Sequence, residues 1–136
     1  MHLLRLEPIV MKIPEFLHLG TQAYENTYEQ MRSLVKAESF QDQVWLLEHP
    51  SVFTLGTAAD PSNILNPGDI PVIQTDRGGE VTFHGPGQLV IYFLLDIKSK
   101  KIGPKTLVAN LQLIIQKVLQ HYSIESSFIE GAPGVY

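Results

Sequence analysis

Residues 77–88 read Arg-Gly-Gly-Glu-Val-Thr-Phe-His-Gly-Pro-Gly-Gln, and an apolar run, Gln88 to Asp96 (QLVIYFLLD), follows directly. Two glycine loops on either side of a short strand, Glu80 to Phe83, fit this pattern. Gly78-Gly79 lets the backbone take positive φ angles and come close to a ligand, because no side chain stands in the way. Gly85-Pro86-Gly87 repeats the device with a proline to stiffen the turn. The result is a wall made largely of backbone, suited to a slender apolar ligand or to a carbonyl group that accepts hydrogen bonds from exposed amides. Arg77 and His84 bracket it. The guanidinium can hold a carboxylate, phosphate or carbonyl oxygen, and the imidazole can exchange a proton or hold a water.

The same residues admit a purely structural reading. The glycines can close hairpins, His84 can be a structural donor, Arg77 a solvated charge, and His49 an ordinary strand-end residue. Two phosphate-binding readings drop out. No Gly-Lys-Ser/Thr follows, and Val90 occupies the place where a GxGxxG fingerprint needs its third glycine.

Outward from this stretch the segments alternate in type. Ala23, Tyr24, Thr27, Tyr28, Met31, Leu34 and Val35 recur at helical spacing, predicting an amphipathic helix from Thr21 to Lys36 with Thr21 as its cap. Val44-Trp-Leu-Leu-Glu-His-Pro50 and Val52-Phe-Thr-Leu-Gly56 read as two strands with a tight connection. Thr57 to Pro71, with three prolines, reads as a surface loop. Val72 to Thr75 is a short strand. Gln88 to Asp96, apolar at both alternating sets, predicts a strand covered on both faces. Lys98 to Lys105 is a turn, and Thr106 caps a helix to His121 whose buried face is Leu107, Leu111, Ile114, Ile115, Val118, Leu119 and Tyr122. Ser126 to Ile129 is a weak strand. Helix and strand readings thus alternate along the chain. We read one domain over residues 1–136, incomplete at its carboxyl end, where Gly-Val-Tyr136 resembles the entry to a further strand.

Composition narrows the function classes. A chain of 136 residues and net charge −4 has no basic field for nucleic acid. No segment approaches the roughly 20 apolar residues of a membrane span. Glu7 and Pro8 interrupt the apolar start and no small-residue cleavage site follows, so no leader is expected. The chain has no cysteine, which removes disulfides, zinc–thiolate sites and thiol nucleophiles from these residues. Five histidines without an HxxxH pair give a metal site little support.

Arg77-Gly-Gly-Glu-Val-Thr-Phe-His-Gly-Pro-Gly-Gln-Leu-Val-x-Tyr92 resembles the signature of the lipoyl(octanoyl) transferases, the LipB family. Leu47-Glu-His-Pro with Phe53-Thr-Leu-Gly56 resembles an upstream block and Ala132-Pro-Gly-Val-Tyr136 a downstream one. The resemblance implies the fold shared with biotin and lipoate protein ligases, a mixed α/β domain with helices packed on its sheets. It implies transfer of an octanoyl group from octanoyl-acyl carrier protein to a lysine on lipoyl domains of 2-oxoacid dehydrogenases or on the glycine cleavage H protein. The route is an acyl-thioester on an enzyme cysteine, with a lysine favouring the thiolate, in the cytoplasm and without ATP, metal or other cofactor. By resemblance, Arg77, Gly78, Gly79, Glu80, Val81, Thr82, Phe83 and His84 line the substrate pocket, Gly78 and Gly79 against the thioester and His84 near the reacting carbonyl. His49 matches a further pocket position. Thr57 stands where the family usually has Arg. The family's lysine and cysteine lie beyond Pro-Gly-Val-Tyr136, so a second chain is one source for them. Two alternatives stand beside this reading: a non-catalytic module for acyl carriers or lipoyl domains, and half of an ATP-dependent lipoate or biotin ligase.

Overall fold

The computed structural model describes residues 13–132 and 134–136, in two compact units divided between Leu95 and Asp96. The reading of the amino terminus falls on residues 1–12, outside the described residues, as does Pro133 of the downstream block.

Among its described residues the first unit holds two three-stranded sheets, one α-helix and a 3₁₀ turn at Pro61–Asn63. Strands β1 (Glu15–Thr21), β2 (Gln43–Glu48), β3 (Val52–Leu55), β4 (Val72–Gln74), β5 (Val81–His84) and β6 (Val90–Leu94) form sheets of order β1-β2-β6 and β4-β3-β5. Both sheets are mixed. β1 runs parallel to β2 and β6 antiparallel, while β3 pairs with β4 in parallel and with β5 antiparallel. Helix α1 (Tyr24–Val35) links the parallel pair β1 and β2, as a parallel connection requires. The core is Trp45, Leu47 and Leu94, with Leu17, Leu19, Met31, Leu34, Phe40, Val90 and Tyr92 packed against it. Met31 and Leu34 come from the apolar stripe read in the sequence, so the helical spacing identified the correct face.

Several expectations are corrected. Thr21 is not a cap: it ends β1 opposite Glu48, and Ala23 occupies the N-cap without a side-chain hydrogen bond. β1 itself went unread, because its apolar residues follow no clean alternation and Phe16 is exposed at the sheet edge. β2 and β3 do not pair with each other. Within His49-Pro50-Ser51 the chain leaves one sheet for the other, a short crossing that sequence distance alone makes look like a hairpin. β6 is an edge strand, and Phe93 is exposed on it, so it is not covered on both faces.

The second unit holds helix α2 (Pro104–His121). Its N-cap is Gly103 with Pro104 at the first helical position, where a missing N–H costs nothing. Thr106 therefore lies inside the helix. Gln112 and Gln116 donate to the carbonyls of Gly134 (2.9 Å) and Ser126 (3.3 Å), holding the last residues to the helix. Ser127 and Tyr136 exchange backbone bonds of 2.7 and 3.0 Å, and Ile129 bridges Ala132, in place of the strand expected at Ser126 to Ile129. Leu107, Leu111 and Leu119 are half-buried, whereas Ile114, Ile115, Val118 and Tyr122 are exposed. The short segment after α2 covers only one flank of the helix.

Candidate functional site

Four aromatic rings meet in the first unit. The chain leaving β2 delivers His49, which is fully buried. Its neighbours are Tyr24 at the start of α1 (ring centroids 5.2 Å apart), His84 at the end of β5 (5.6 Å) and Tyr92 in β6 (5.9 Å). Tyr24 also stacks on His84 at 6.1 Å with planes 17° apart. His49 Nδ1 lies 2.7 Å from the Gln22 carbonyl and Nε2 lies 2.9 Å from the Tyr92 hydroxyl. A carbonyl only accepts, so Nδ1 carries the proton and Tyr92 O–H donates to Nε2. Burial holds the His49 pKa below the ordinary imidazole value, the Gln22 bond opposes this, and the nearby His84 adds to the lowering. Burial also pushes the Tyr92 hydroxyl strongly up, with Tyr24 adding and Arg77 opposing. Tyr24 is raised by burial and partly offset by the Arg77 charge. Tyr24, His49 and Tyr92 therefore form a neutral support, with His84 standing half-exposed at its edge.

Beside it, two loops lie backbone on backbone. Gly56 N donates to the Glu80 carbonyl (3.3 Å), Thr57 N to that of Arg77 (2.8 Å) and Ala58 N to that of Gly79 (3.3 Å). A Cβ on Gly56 would sit 2.1 Å from the Gly79 carbonyl oxygen, so only glycine permits this approach. Gly79 has φ of +92°, a conformation that again favours glycine. Gly78 differs: its φ is not positive, and an added Cβ would meet nothing within 4 Å among the described residues.

Arg77 organises this platform. Its guanidinium donates to the Gly78 carbonyl (2.9 Å), the Thr54 carbonyl (2.9 Å) and hydroxyl (2.8 Å), and the Glu80 carbonyl (3.0 Å). Thr54 is fully buried, so the arginine closes the loop onto the centre of its sheet. Next to it, Asp76 accepts from the Tyr28 hydroxyl and pairs with Arg32 (3.4 Å), tying the loop to α1.

The residues read from the sequence are thus partly gathered. β5 pairs with β3 through Val81–Leu55, Thr82–Thr54, Phe83–Phe53 and His84–Val52. Alternation puts Thr82 and His84 on one face and Val81 and Phe83 on the other, where the Phe83 ring lies 5.2 Å from Phe53. Glu80 is exposed and contributes its carbonyl to the platform. Thr57 is exposed, bonded through its amide. Tyr24, Gly56, Tyr92, Glu48 and Gln88 complete the arrangement without having been read as site residues. All but Tyr24 lay within the quoted blocks, so their presence there was the available signal. A shallow groove of about 630 Å³ beside α1 and β2, lined by Gln30, Gln43 and Trp45 among others, contains none of residues 77–84.

Residues 22–136 match the family described as the lipoyl protein ligase A/B catalytic domain, and the chain belongs to that family. Curated proteins named octanoyltransferase are among its relatives. That of Shewanella frigidimarina is 51% identical over 121 residues, covering 88% of this chain and 56% of the relative. That of Legionella pneumophila is 48% identical over 121 residues, covering 88% and 61%. The chain thus spans less than two thirds of the length of these relatives. A solved structure, P. falciparum LipL1 in complex with lipoate, aligns with TM-score 0.48 and 16% identity over 86% of this chain and 38% of that one. The resemblance drawn from residues 47–56, 77–92 and 132–136 is borne out at the level of family. Among the described residues no helix is long and apolar enough to cross a membrane.

Proposed function

We propose that this chain forms the acyl-binding part of an octanoyltransferase. The enzyme moves the octanoyl group of octanoyl-acyl carrier protein to a lysine on lipoyl domains of 2-oxoacid dehydrogenases and on the glycine cleavage H protein. The observation that carries this reading is the family match over residues 22–136, joined to about 50% identity with proteins named octanoyltransferase. The reaction is two acyl transfers through a shared thioester on cysteine, without a cofactor, in the cytoplasm. These 136 residues contain no cysteine. The nucleophile and its lysine therefore belong outside them, in a continuation of the polypeptide or in a second chain. One catalytic domain embracing both compact units is part of the proposal.

Within it, Gly78 is the place where the thioester approaches. Nothing in the described chain fills the space beside it, which supports a glycine kept for an external group. Gly79, Glu80 and Thr82 complete that wall, Arg77 shapes it from behind, and His84 stands at its end with His49 packed underneath. Val81 and Phe83 hold the strand from the opposite face. The missing thiol also favours a second reading, a module that binds acylated carriers or lipoyl domains without turnover. The test supplies octanoyl-acyl carrier protein and an apo lipoyl domain to the chain, alone and mixed with a polypeptide carrying the remaining family motifs. We expect binding by the chain alone and transfer only in the mixture. A folded complex that binds but never transfers establishes the second reading, and absence of binding to both the carrier and the lipoyl domain overturns both.

A further inference from the structure

The two ring nitrogens of His84 are not equivalent. Nδ1 lies 2.6 Å from Gln88 Oε1, while Gln88 Nε2 donates to the Phe83 carbonyl at 3.2 Å, which fixes the amide with its oxygen toward the ring. That oxygen only accepts, so Nδ1 carries the proton and a neutral ring keeps its lone pair on Nε2. Nε2 has no hydrogen-bond partner among the described residues. A solvated histidine prefers the opposite tautomer, so this one is imposed.

What imposes it is itself anchored. Gln88 N closes a turn on the Gly85 carbonyl at 3.1 Å. Gly87 N donates to Glu48 Oε2 at 2.8 Å, and Glu48 ends β2 immediately before the buried His49. One strand end therefore supports His84 twice, through the packed ring of His49 and through the turn that carries Gln88. Gln88 is exposed, so core packing does not account for its placement.

The geometry points to Gln88 as a positioning residue, held by Glu48 through Gly87, that fixes His84 as the Nδ1–H tautomer and presents Nε2 as a proton acceptor to the reacting groups. This rests on the acyl-transfer reading proposed above. When the acceptor lysine amine attacks an acyl thioester, a C–N bond forms and the C–S bond breaks. The nitrogen gives its proton to His84 Nε2, and Nε2 returns it to the departing thiolate, leaving amide, thiol and a neutral ring.

The test is the nitrogen spectrum of ¹⁵N-histidine in the 136-residue chain, recorded at alkaline pH where the ring is neutral, with His84 assigned by its substitution. We expect Nδ1 pyrrole-like and Nε2 pyridine-like. Gln88→Leu should shift His84 toward the other tautomer, and Gln88→Glu, which still accepts from Nδ1–H, should restore the first. Glu48→Ala should speed exchange of the Gly87 amide and mix the tautomers. The amide spectrum of each variant reports whether it is folded. A pyrrole-like Nε2 in the unsubstituted chain, or a folded Gln88→Leu chain with an unchanged tautomer, overturns the proposal. These spectra need no substrate, so they fail or succeed independently of the acyl-transfer reading. In the reconstituted assay Gln88→Leu should lower kcat on the order of a hundred-fold with KM held. An inverted tautomer with unchanged kcat would remove Nε2 from the proton path.

Discussion

Replacing Gly56 by alanine should separate the two loops that build the glycine platform. The new Cβ would lie 2.1 Å from the Gly79 carbonyl oxygen, 2.8 Å from its carbon and 2.9 Å from the Gly78 oxygen. All three are backbone atoms, so no side-chain rotation relieves the clash, and the loops must part by roughly 1 Å to reach ordinary contact. The bonds from Gly56, Thr57 and Ala58 to the opposite loop, at 3.3, 2.8 and 3.3 Å, do not survive a shift of that size. At about 1 kcal/mol each, their loss amounts to about 3 kcal/mol, the upper part of the range for overpacking. With a urea dependence of about 1–3 kcal/mol per molar, the unfolding midpoint falls by about 1–3 M. Hydrogen exchange at the Thr57 and Ala58 amides should quicken with it. Gly78→Ala is the matched control. It meets no atom within 4 Å and has no positive φ, so its midpoint should hold or rise slightly, as for an alanine that fits the native backbone, while affinity for octanoyl-acyl carrier protein drops. A Gly56→Ala chain within about 0.5 kcal/mol of the parent would refute the backbone-contact argument.

Other substitutions probe the support beneath the platform. Arg77→Ala should cost about 2–4 kcal/mol in urea unfolding, because it removes donors from four acceptors, two of them on the buried Thr54. Arg77→Lys should recover less than half of that, since one ammonium cannot reproduce the planar fork; full recovery would mean only charge matters there. Tyr92→Phe leaves the buried His49 Nε2 without its donor and should cost about 1–3 kcal/mol, a loss absent when His49 is already Phe. The buried His49 has its pKa lowered from 6.5, so below that pH the unfolded chain takes up a proton that the folded chain refuses. Stability should then fall as pH drops below 6.5, by up to about 1.4 kcal/mol per pH unit from this residue. Urea unfolding of parent and His49→Gln across that window should show the steeper slope in the parent, and parallel slopes would show His49 to be protonated in the fold.

What the sequence made legible was local. The spacing of Met31 and Leu34 identified the inner face of α1, and the glycines at 78–79 and 85–87 marked the bend and the turn that flank β5. What it hid depended on partners far along the chain. Val44–Glu48 and Val52–Leu55 look like a hairpin because few residues separate them, yet their hydrogen bonds go to β1 and β6 in one case and to β4 and β5 in the other. His49 looks like a strand-end residue until Gln22, 27 positions earlier, and Tyr92, 43 positions later, take its two nitrogens. The glycines show the same limit most sharply. Gly56, Gly78 and Gly79 are identical letters, but Gly56 is required by a neighbouring carbonyl, Gly79 by its own dihedral angle, and Gly78 by neither. A glycine unexplained by the chain that contains it is the residue whose reason should be sought in a ligand. That is why an alanine at 78 should leave the fold intact while weakening acyl-carrier binding, whereas an alanine at 56 should cost stability first.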